Sequence, residues 1–378
     1  MKLPKLFKLP RLFKSHDPNY AVIDIGTSEV TVGVCREGDD LNSRTVLGVG
    51  VQPQGRTSVY SGKILDLDAV IETINLAFDE AVMKASVAPK RAILGLSGGV
   101  VVPRSYRVRV RREAPEEKMG EKEFEVLAGQ IESTTMDRAQ SELSGATGEE
   151  FVRVETVFVS YQMDGARVTT PLDIPGAEIE VTVLHYFMES SKVRSVNSLA
   201  DQLNLEIVSL VDTAVYAATR WSEAHGDFVL LDIGGDTTQL VVIDNGKIAE
   251  DQSLFIGGRD ITHAIESELS VGYEQAEQIK INYASGHLDQ ERARVVHGIV
   301  SEVVGYIVDA VVIASRSTKL KQFPPKFLIS GGTRHLEEVT TALNSHPWAK
   351  ENVFGVFPKI ETLPDQESGF NELTKMEL

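Results

Sequence analysis

The chain has 378 residues, 42% of them hydrophobic and 25% charged, with a formal net charge of −17 and a single cysteine. That length allows about two or three domains with sizeable cores, and the acidic balance argues against a general nucleic-acid partner, because phosphate contacts need a basic surface. Cys35 alone offers neither an internal disulfide nor a CxxC metal site, and no run of about 18 apolar residues marks a membrane-spanning helix.

Residues 1–14 depart from this average. Lys2-Leu-Pro-Lys-Leu-Phe7 recurs as Lys8-Leu-Pro-Arg-Leu-Phe13, so the segment holds Lys2, Lys5, Lys8, Arg11 and Lys14 and no acid. Leu3, Leu6, Leu9 and Leu12 recur every third residue, with Phe7 and Phe13 beside them. Cations interleaved with Leu and Phe suit an anionic leaflet, at about 1 kcal/mol per basic residue near the surface. Pro4 and Pro10 oppose one continuous helix, which leaves short turns or an extended form ordered by lipid. A peptide that docks on a protein and a plain solubilising tail are the other readings. The continuous apolar stretch and cleavage site of a secretory signal are missing. Residues 1–19 are expected to be a membrane-targeting tail and linker.

From Tyr20 an apolar run leads into Asp24-Ile-Gly26-Thr27-Ser28 and a second run, Val30 to Val34. This reads as a hairpin whose tip carries an acid, a glycine and hydroxyls. A third strand is expected at Thr45 to Val51. Asp66 to Ser86 keeps helical apolar spacing behind an Asp N-cap, and Ala92 to Leu96 reads as a short buried strand. Arg104 to Arg112 alternates basic and apolar residues, as in an edge strand guarded by charge. With a helix at Glu121 to Leu143 and strands at Phe151 to Tyr161 and Ile179 to His185, residues 103–184 read as an inserted subdomain. Its strands could complete the first sheet on either side.

A helix at Lys192 to Leu203, a strand at Glu206 to Leu210 and a helix at Asp212 to Glu223 lead to a second tip. There Val229-Leu-Leu-Asp232-Ile-Gly234-Gly235-Asp236-Thr237-Thr238 nearly repeats the first tip and runs into Gln239 to Ile243. Gly257-Gly258 opens a helix, Ile261 to Leu269. Further helices are expected around Tyr273 to Lys280 and at Gln290 to Leu320. The strand Lys326 to Ser330 ends in Gly331-Gly332-Thr333, followed by a helix at His335 to Leu343. Residues 361–378 show little pattern and are expected to form a flexible tail.

Four glycine turns that follow strands or open helices suggest a phosphate site. Glycine lets backbone N–H groups approach a phosphate, hydroxyls add donors, and helix N-termini after Gly258 and Gly332 favour anions. Asp24 and Asp232 would repel phosphate, so their natural role is to hold Mg2+, mostly through water. The whole points to an ATP-type site.

On these residues the chain resembles the actin/Hsp70/sugar-kinase superfamily. Asp24-Ile-Gly-Thr-Ser28 is similar to its first phosphate motif, Asp232 to Thr238 to its second and Ser330-Gly-Gly-Thr333 to its adenosine motif. Within the superfamily it resembles FtsA, the bacterial actin-like cell-division family, with PilM as a close relative. Gly62-Lys-Ile-Leu-Asp-Leu-Asp-Ala-Val-Ile-Glu, Leu94-Gly-Leu-Ser-Gly-Gly, Gly257-Gly-Arg-Asp-Ile-Thr262 and Ala276-Glu-Gln-Ile-Lys280 carry that likeness over about residues 20 to 345.

The resemblance implies an α/β, actin-like ATPase fold: two duplicated ribonuclease-H-like halves, a nucleotide cleft between them and an FtsA-type inserted subdomain. The halves are then 20–102 with 185–226, and 227–262 with 300–360, with 263–299 as a subdomain of the second half. It implies that Glu277 and Lys280 face the adenosine, although three residues apart on a helix they equally suit an ion pair. It further implies a protein that binds ATP and Mg2+, polymerises on the inner face of the cytoplasmic membrane and tethers the tubulin-like division protein FtsZ. A PilM-like role would instead bind a membrane partner's N-terminal peptide. FtsA-like chains usually carry their membrane helix at the C-terminus. Phe370 to Leu378 makes a poor anchor, so the anchor is expected in residues 1–14. Glu189 and Asp212 are the acids nearest to a water-orienting position, and neither fits well, so ATP turnover is expected to be weak or absent.

Overall fold

The computed structural model describes residues 17–376 apart from 38–43, 61, 97, 148–149, 319, 352 and 365–367. The expected anchor in residues 1–14 lies outside the described residues. The chain opens with a meander of β1 (Asn19–Ile25), β2 (Glu29–Glu37) and β3 (Arg44–Pro53), then a small hairpin, β4 (Val59–Tyr60) and β5 (Lys63–Ile64), then α1 (Leu67–Ala85) and β6 (Arg91–Leu96). Next come β7 (Val102–Arg111), α2 (Glu121–Thr147), β8 (Phe151–Met163), β9 (Ala166–Val168) and β10 (Glu178–Glu189). The chain then returns through α3 (Ser190–Leu203), β11 (Glu206–Asp212) and α4 (Thr213–His225). A second meander, β12 (Phe228–Ile233), β13 (Thr238–Asp244) and β14 (Lys247–Leu254), leads to α5 (Gly258–Leu269), α6 (Tyr273–Ala284) and α7 (Gln290–Ser317). After these come β15 (Lys326–Ser330), a 3-10 turn (Gly332–His335), α8 (Glu337–Ser345), β16 (Lys359–Thr362) and α9 (Gly369–Thr374).

Two sheets repeat one topology. The first has the order β11-β6-β1-β2-β3 and the second, mirrored in writing, β14-β13-β12-β15-β16. In each, three antiparallel strands form a meander and two later strands add in parallel beside its first strand. This is the duplicated, actin-like α/β fold. Burial explains the composition of the central strands: β1 and β12 lie between helical layers, so nearly every residue is apolar.

In the first half, α1 is capped by Asp66, whose side chain accepts the Ala69 N–H at 3.0 Å. It packs on β3 at backbone distance, because a Cβ on Gly48 would stand 2.7 Å from Ala85 N and one on Gly50 2.9 Å from Ala81 N. Gly33 pairs with Val49, so it faces the opposite side of the sheet from Gly48 and Gly50. That side is covered by α9, with the Phe370 ring 2.8 Å from where a Gly33 Cβ would be.

This corrects the expectation of a flexible tail at 361–378. β16 runs to Thr362 and pairs with β15, and α9 docks on the first half. Leu373 and Met376 are buried, and Tyr20 Oη donates to Thr374 O at 2.8 Å. Six residues are too few to show a helical period, but they suffice to fill a gap that glycines leave open.

The inserted residues do not extend the first sheet. They form their own, in the order β7-β10-β8-β9, with α2 covering it over a core that includes Phe124, Ile131, Val181 and Phe187. β7 is an edge strand, and its arginines are matched by β10: Arg109 Nε donates to Glu180 at 2.6 Å, and Arg107 lies 3.4 Å from the same carboxylate. α7 is long and apolar enough to cross a membrane by composition. One face of it, with Val300, Val304, Ile307 and Val311, is buried in the core of the second half, while Val295, Tyr306 and Ile313 on the other are exposed.

Candidate functional site

The site begins with two turns of identical form. β1 and β2 close at Ile25 and Val30, and Gly26 N donates to Glu29 O at 3.0 Å. β12 and β13 close at Ile233 and Thr238, and Gly234 N donates to Thr237 O at 2.9 Å. The two tips touch: a Cβ on Gly235 would stand 2.6 Å from Thr27 Oγ1 and closer still to Ser28 Oγ. Side chains there would separate the halves, which is why bare backbone stands at this point.

The other two turns gather on the second tip. Gly258 N donates to Gly234 O at 2.9 Å and Arg259 N to Gly235 O at 2.8 Å. A Cβ on Gly257 would sit 2.5 Å from Gly235 O and 2.8 Å from Gly234 O. Gly331, at φ 84°, lies against the backbone of Ile233, and Thr333 Oγ1 donates to Gly234 O at 3.2 Å. Lys280 Nζ donates to Gly258 O at 2.9 Å and to Thr262 Oγ1 at 2.8 Å, and it pairs with Glu277 at 2.8 Å. Thr262 Oγ1 also bonds the Glu277 carboxylate. Glu277 and Lys280 are therefore an ion pair, but one tied to the first turn of α5 rather than standing in solvent.

Two expected anion contacts change. The first two amides of α5 are spent on the Gly234 and Gly235 carbonyls, so they do not face a ligand. Gly332 opens only a 3-10 turn, with α8 starting at Glu337. The other candidates for a phosphate stand at the two tips, at Thr27, Ser28 and Thr237, while the Asp236 carboxylate beside them is held by Arg259 at 3.2 Å. Thr238 Oγ1 is spent too, donating to Ile256 O at 2.8 Å.

Behind the tips stand two half-buried acids. Asp24 accepts a hydrogen bond from Thr213 Oγ1 at 2.7 Å, and Asp232 one from Ser330 Oγ at 2.5 Å. Gly95 keeps room for the first pair, since a Cβ there would lie 2.6 Å from Thr213 Oγ1 and 3.1 Å from Asp24 Oδ1. Burial pushes the Asp24 carboxyl up to about 7, and the charges of Asp232 and Glu29 push the same way. Burial also raises Asp232, against its hydrogen bond from Ser330 and the nearby Arg334 cation. Two half-buried, desolvated carboxylates of like charge, each with one hydroxyl donor, form a donor set that a divalent cation would relieve. Among the described residues no three His, Cys, Asp or Glu side chains converge on one point. The pair thus fits a cation that keeps most of its water, as Mg2+ does.

Neither acid considered for orienting water is placed for it. Asp212 is fully buried and caps α4, accepting Val215 N at 3.0 Å. Gln239 Nε2 bridges it, at 3.2 Å, to Asp251, at 2.9 Å. Burial first, then the Asp251 charge, raises the Asp212 carboxyl well above the usual range. Glu189 precedes α3 and is held by Lys192 at 2.7 Å. Sequence reasoning did not single out Thr213, which sits beside a cap residue. Ser330 appeared only as the first letter of a motif.

A family model described as "Cell division protein FtsA" matches residues 229–340, the stretch from the second tip to α8. The chain is 23% identical over 340 residues to the cell division protein FtsA of Bacillus subtilis, covering 83% of this chain and 73% of that one. It is 25% identical over 299 residues to the FtsA of Agrobacterium fabrum, covering 75% of this chain and 64% of that one. Among solved structures it is similar to a PilM-PilN type IV pilus biogenesis complex (TM-score 0.60, 16% identity, 95% of this chain and 97% of that one). It is also similar to MreB5 of Spiroplasma citri bound to ADP (TM-score 0.51, 13% identity, 94% and 95%). These neighbours share the actin-like fold.

Proposed function

We propose that this chain, which has the actin-like ATPase fold and resembles the FtsA cell division proteins, binds ATP with Mg2+ and assembles as a filament on the inner face of the cytoplasmic membrane. One observation carries the nucleotide reading: two identical glycine turns meet tip to tip, each with a half-buried aspartate two residues before its first glycine. Bound there, Mg-ATP supplies a polyphosphate that both halves can grip and a cation that balances Asp24 and Asp232. Thr27, Ser28, Asp236 and Thr237 would supply donors to the phosphates, and Gly331, Gly332 and Thr333 would back the nucleoside end beside Glu277 and Lys280. Turnover is slow or absent in this reading, because Asp212 and Glu189 are both engaged elsewhere.

The likeness to FtsA supports a place in cell division with the tubulin-like protein FtsZ as partner. The basic Leu/Phe repeat at Leu3 to Lys14 supports anchoring on anionic lipid at the N-terminal end. The test is sedimentation of the full chain with anionic vesicles, with and without Mg-ATP, followed by electron microscopy of the membrane-bound fraction. Mg-ATP should produce ordered arrays on the vesicles. A variant lacking residues 1–15 should still bind nucleotide but stay in the supernatant. If that variant pellets with vesicles as the full chain does, the anchor is not in the repeat. A full chain that stays monomeric on lipid with Mg-ATP would overturn the filament reading.

A further inference from the structure

We propose that Arg259 is a latch between the two halves: one buried guanidinium of the second half holds the main chain of the first, setting the distance between the two glycine turns and so the retention of a nucleoside polyphosphate between them. The ligand in this statement rests on the nucleotide reading above, whereas the latch rests on geometry alone.

The root of the side chain is fixed, because Arg259 N donates to Gly235 O at 2.8 Å. The residue is 8% exposed. Nη1 lies 3.2 Å from both carboxylate oxygens of Asp236, 3.2 Å from Arg56 O and 3.3 Å from Val59 O. Nη2 donates to Thr27 O. Three of these acceptors are main-chain carbonyls of the first half, drawn from two segments, the 26–29 turn and the 54–60 loop. The fourth partner, Asp236, belongs to the second tip, and its side chain is 5% exposed. The buried cation is therefore neutralised by its own half and spends its remaining donors on the other.

The two terminal nitrogens of the guanidinium serve acceptors in both halves at once, Nη1 sharing its hydrogens among Asp236, Arg56 O and Val59 O and Nη2 reaching Thr27 O, whereas a lysine ammonium has one compact head. The segments it grips are linked to each other and strapped a second time. Gln54 N donates to Ser28 O at 2.9 Å, which ties the loop to the first tip. The Arg56 guanidinium lies 4.2 Å over the Tyr273 ring and 3.6 Å from Glu266, which ties the loop to α6 and α5. Arg259 touches both tips, one through Thr27 and the other through Asp236.

The test uses the full-length protein, amide hydrogen exchange and the release of a fluorescent N-methylanthraniloyl ATP in the presence of Mg2+. Arg259→Lys keeps the charge and removes the fork. It should raise exchange at 26–29 and 54–60 in the nucleotide-free protein, leave the 228–254 sheet unchanged, and speed nucleotide release about tenfold or more. Unchanged exchange in both segments overturns the latch. So does a rise spread evenly over α5 and the second sheet, which is what a merely structural residue would give. Arg259→Gln, which keeps an amide but loses the charge, serves if the lysine variant folds poorly, with the same expectation. If the wild-type protein binds no nucleotide, the nucleotide reading falls, and the exchange pattern alone then supports or overturns the latch.

Discussion

Asp24 shows how one desolvated carboxyl can cost the fold stability as pH rises. Its carboxyl titrates near 7 because it is buried beside Asp232, whereas in the unfolded chain it titrates at about 3.9. A group raised in this way contributes its stability below the unfolded value and loses it as pH rises through the folded one. At pH 8 the folded protein therefore carries a strained, ionised Asp24. Asp24→Asn should raise the thermal midpoint at pH 8, by roughly 2–4 °C for each kcal/mol relieved, and do little at pH 4. The same variant should lose the stabilisation that Mg-ATP gives the wild type. Melting curves at both pH values, with and without Mg-ATP, check this, and a full Mg-ATP shift in the variant would remove Asp24 from the site. Gly257 is tested by geometry instead. Gly257→Ala places a methyl against two backbone carbonyls that cannot rotate away, so it should destabilise by about 1–3 kcal/mol. Denaturant melts give the magnitude, and a neutral substitution would mean that α5 does not hang on the second tip as described.

At the scale of elements, α9 carries the clearest expectation. Gly33 on β2 and Gly95 on β6 leave the space that Phe370 and Leu373 fill, the Leu373 Cδ1 being 2.5 Å from where a Gly95 Cβ would be. Leu373 is fully buried. Leu373→Ala should cost about 2–5 kcal/mol, as for other large-to-small core changes, and this is far more than a flexible tail could lose. Urea unfolding measures it, and a loss below about 0.5 kcal/mol, ordinary for a surface position, would return α9 to the tail. The sequence hid this helix because glycines in strands read as turns or weak points, while here they are sockets. By contrast, α1 was legible to within a residue at each end, because its apolar positions keep a period of 3.6 and Asp66 caps it.

Across the whole molecule, the inserted unit should respond to acid differently from the two halves. His185 is fully buried, with Thr135 Oγ1 at 2.7 Å from Nε2 and Thr156 Oγ1 at 2.9 Å from Nδ1. Burial, then the Arg153 charge, pushes it down to about 4, from about 6.5 unfolded. A base lowered in this way stabilises above its unfolded value, and that stability is lost as pH falls through the folded one. Asp24 and Asp251, in the two halves, are raised to about 7 and 6 and change in the opposite sense over that range, as does Glu155 on β8, which is raised to about 7 and bonds Ser209 and Leu210 of the first half. Lowering the pH from 7 to 4.5 should therefore raise exchange in α2 and in β10 around His185, after correction for intrinsic rates, before it does so in β1 or β12. Equal protection of the inserted unit at both pH values would show that His185 does not govern it.

Much of this was legible without coordinates, because it is local. A strand, an acid, a glycine turn and hydroxyls stand consecutively at Asp24 to Ser28 and again at Asp232 to Thr238, and both hairpins form where that order places them. The repetition suggested two related halves, and the resemblance carried by those motifs implied the fold class. What tertiary structure decided involves partners far apart in the chain. Thr213 and Asp24 are 189 residues apart, and Ser330 and Asp232 are 98 apart, so no pattern along the sequence joins them. The first amides of α5 looked available to an anion until folding placed the carbonyls of Gly234 and Gly235 against them. Arg259 stood in the sequence only as one residue of the Gly257 to Thr262 motif, and its role depends on two carbonyl-bearing segments of the other half that close around it. The sequence by itself specified the chemistry offered at each turn. Which groups meet, and which are already satisfied by one another, depends on how two separately encoded sheets pack, and only the folded chain determines that.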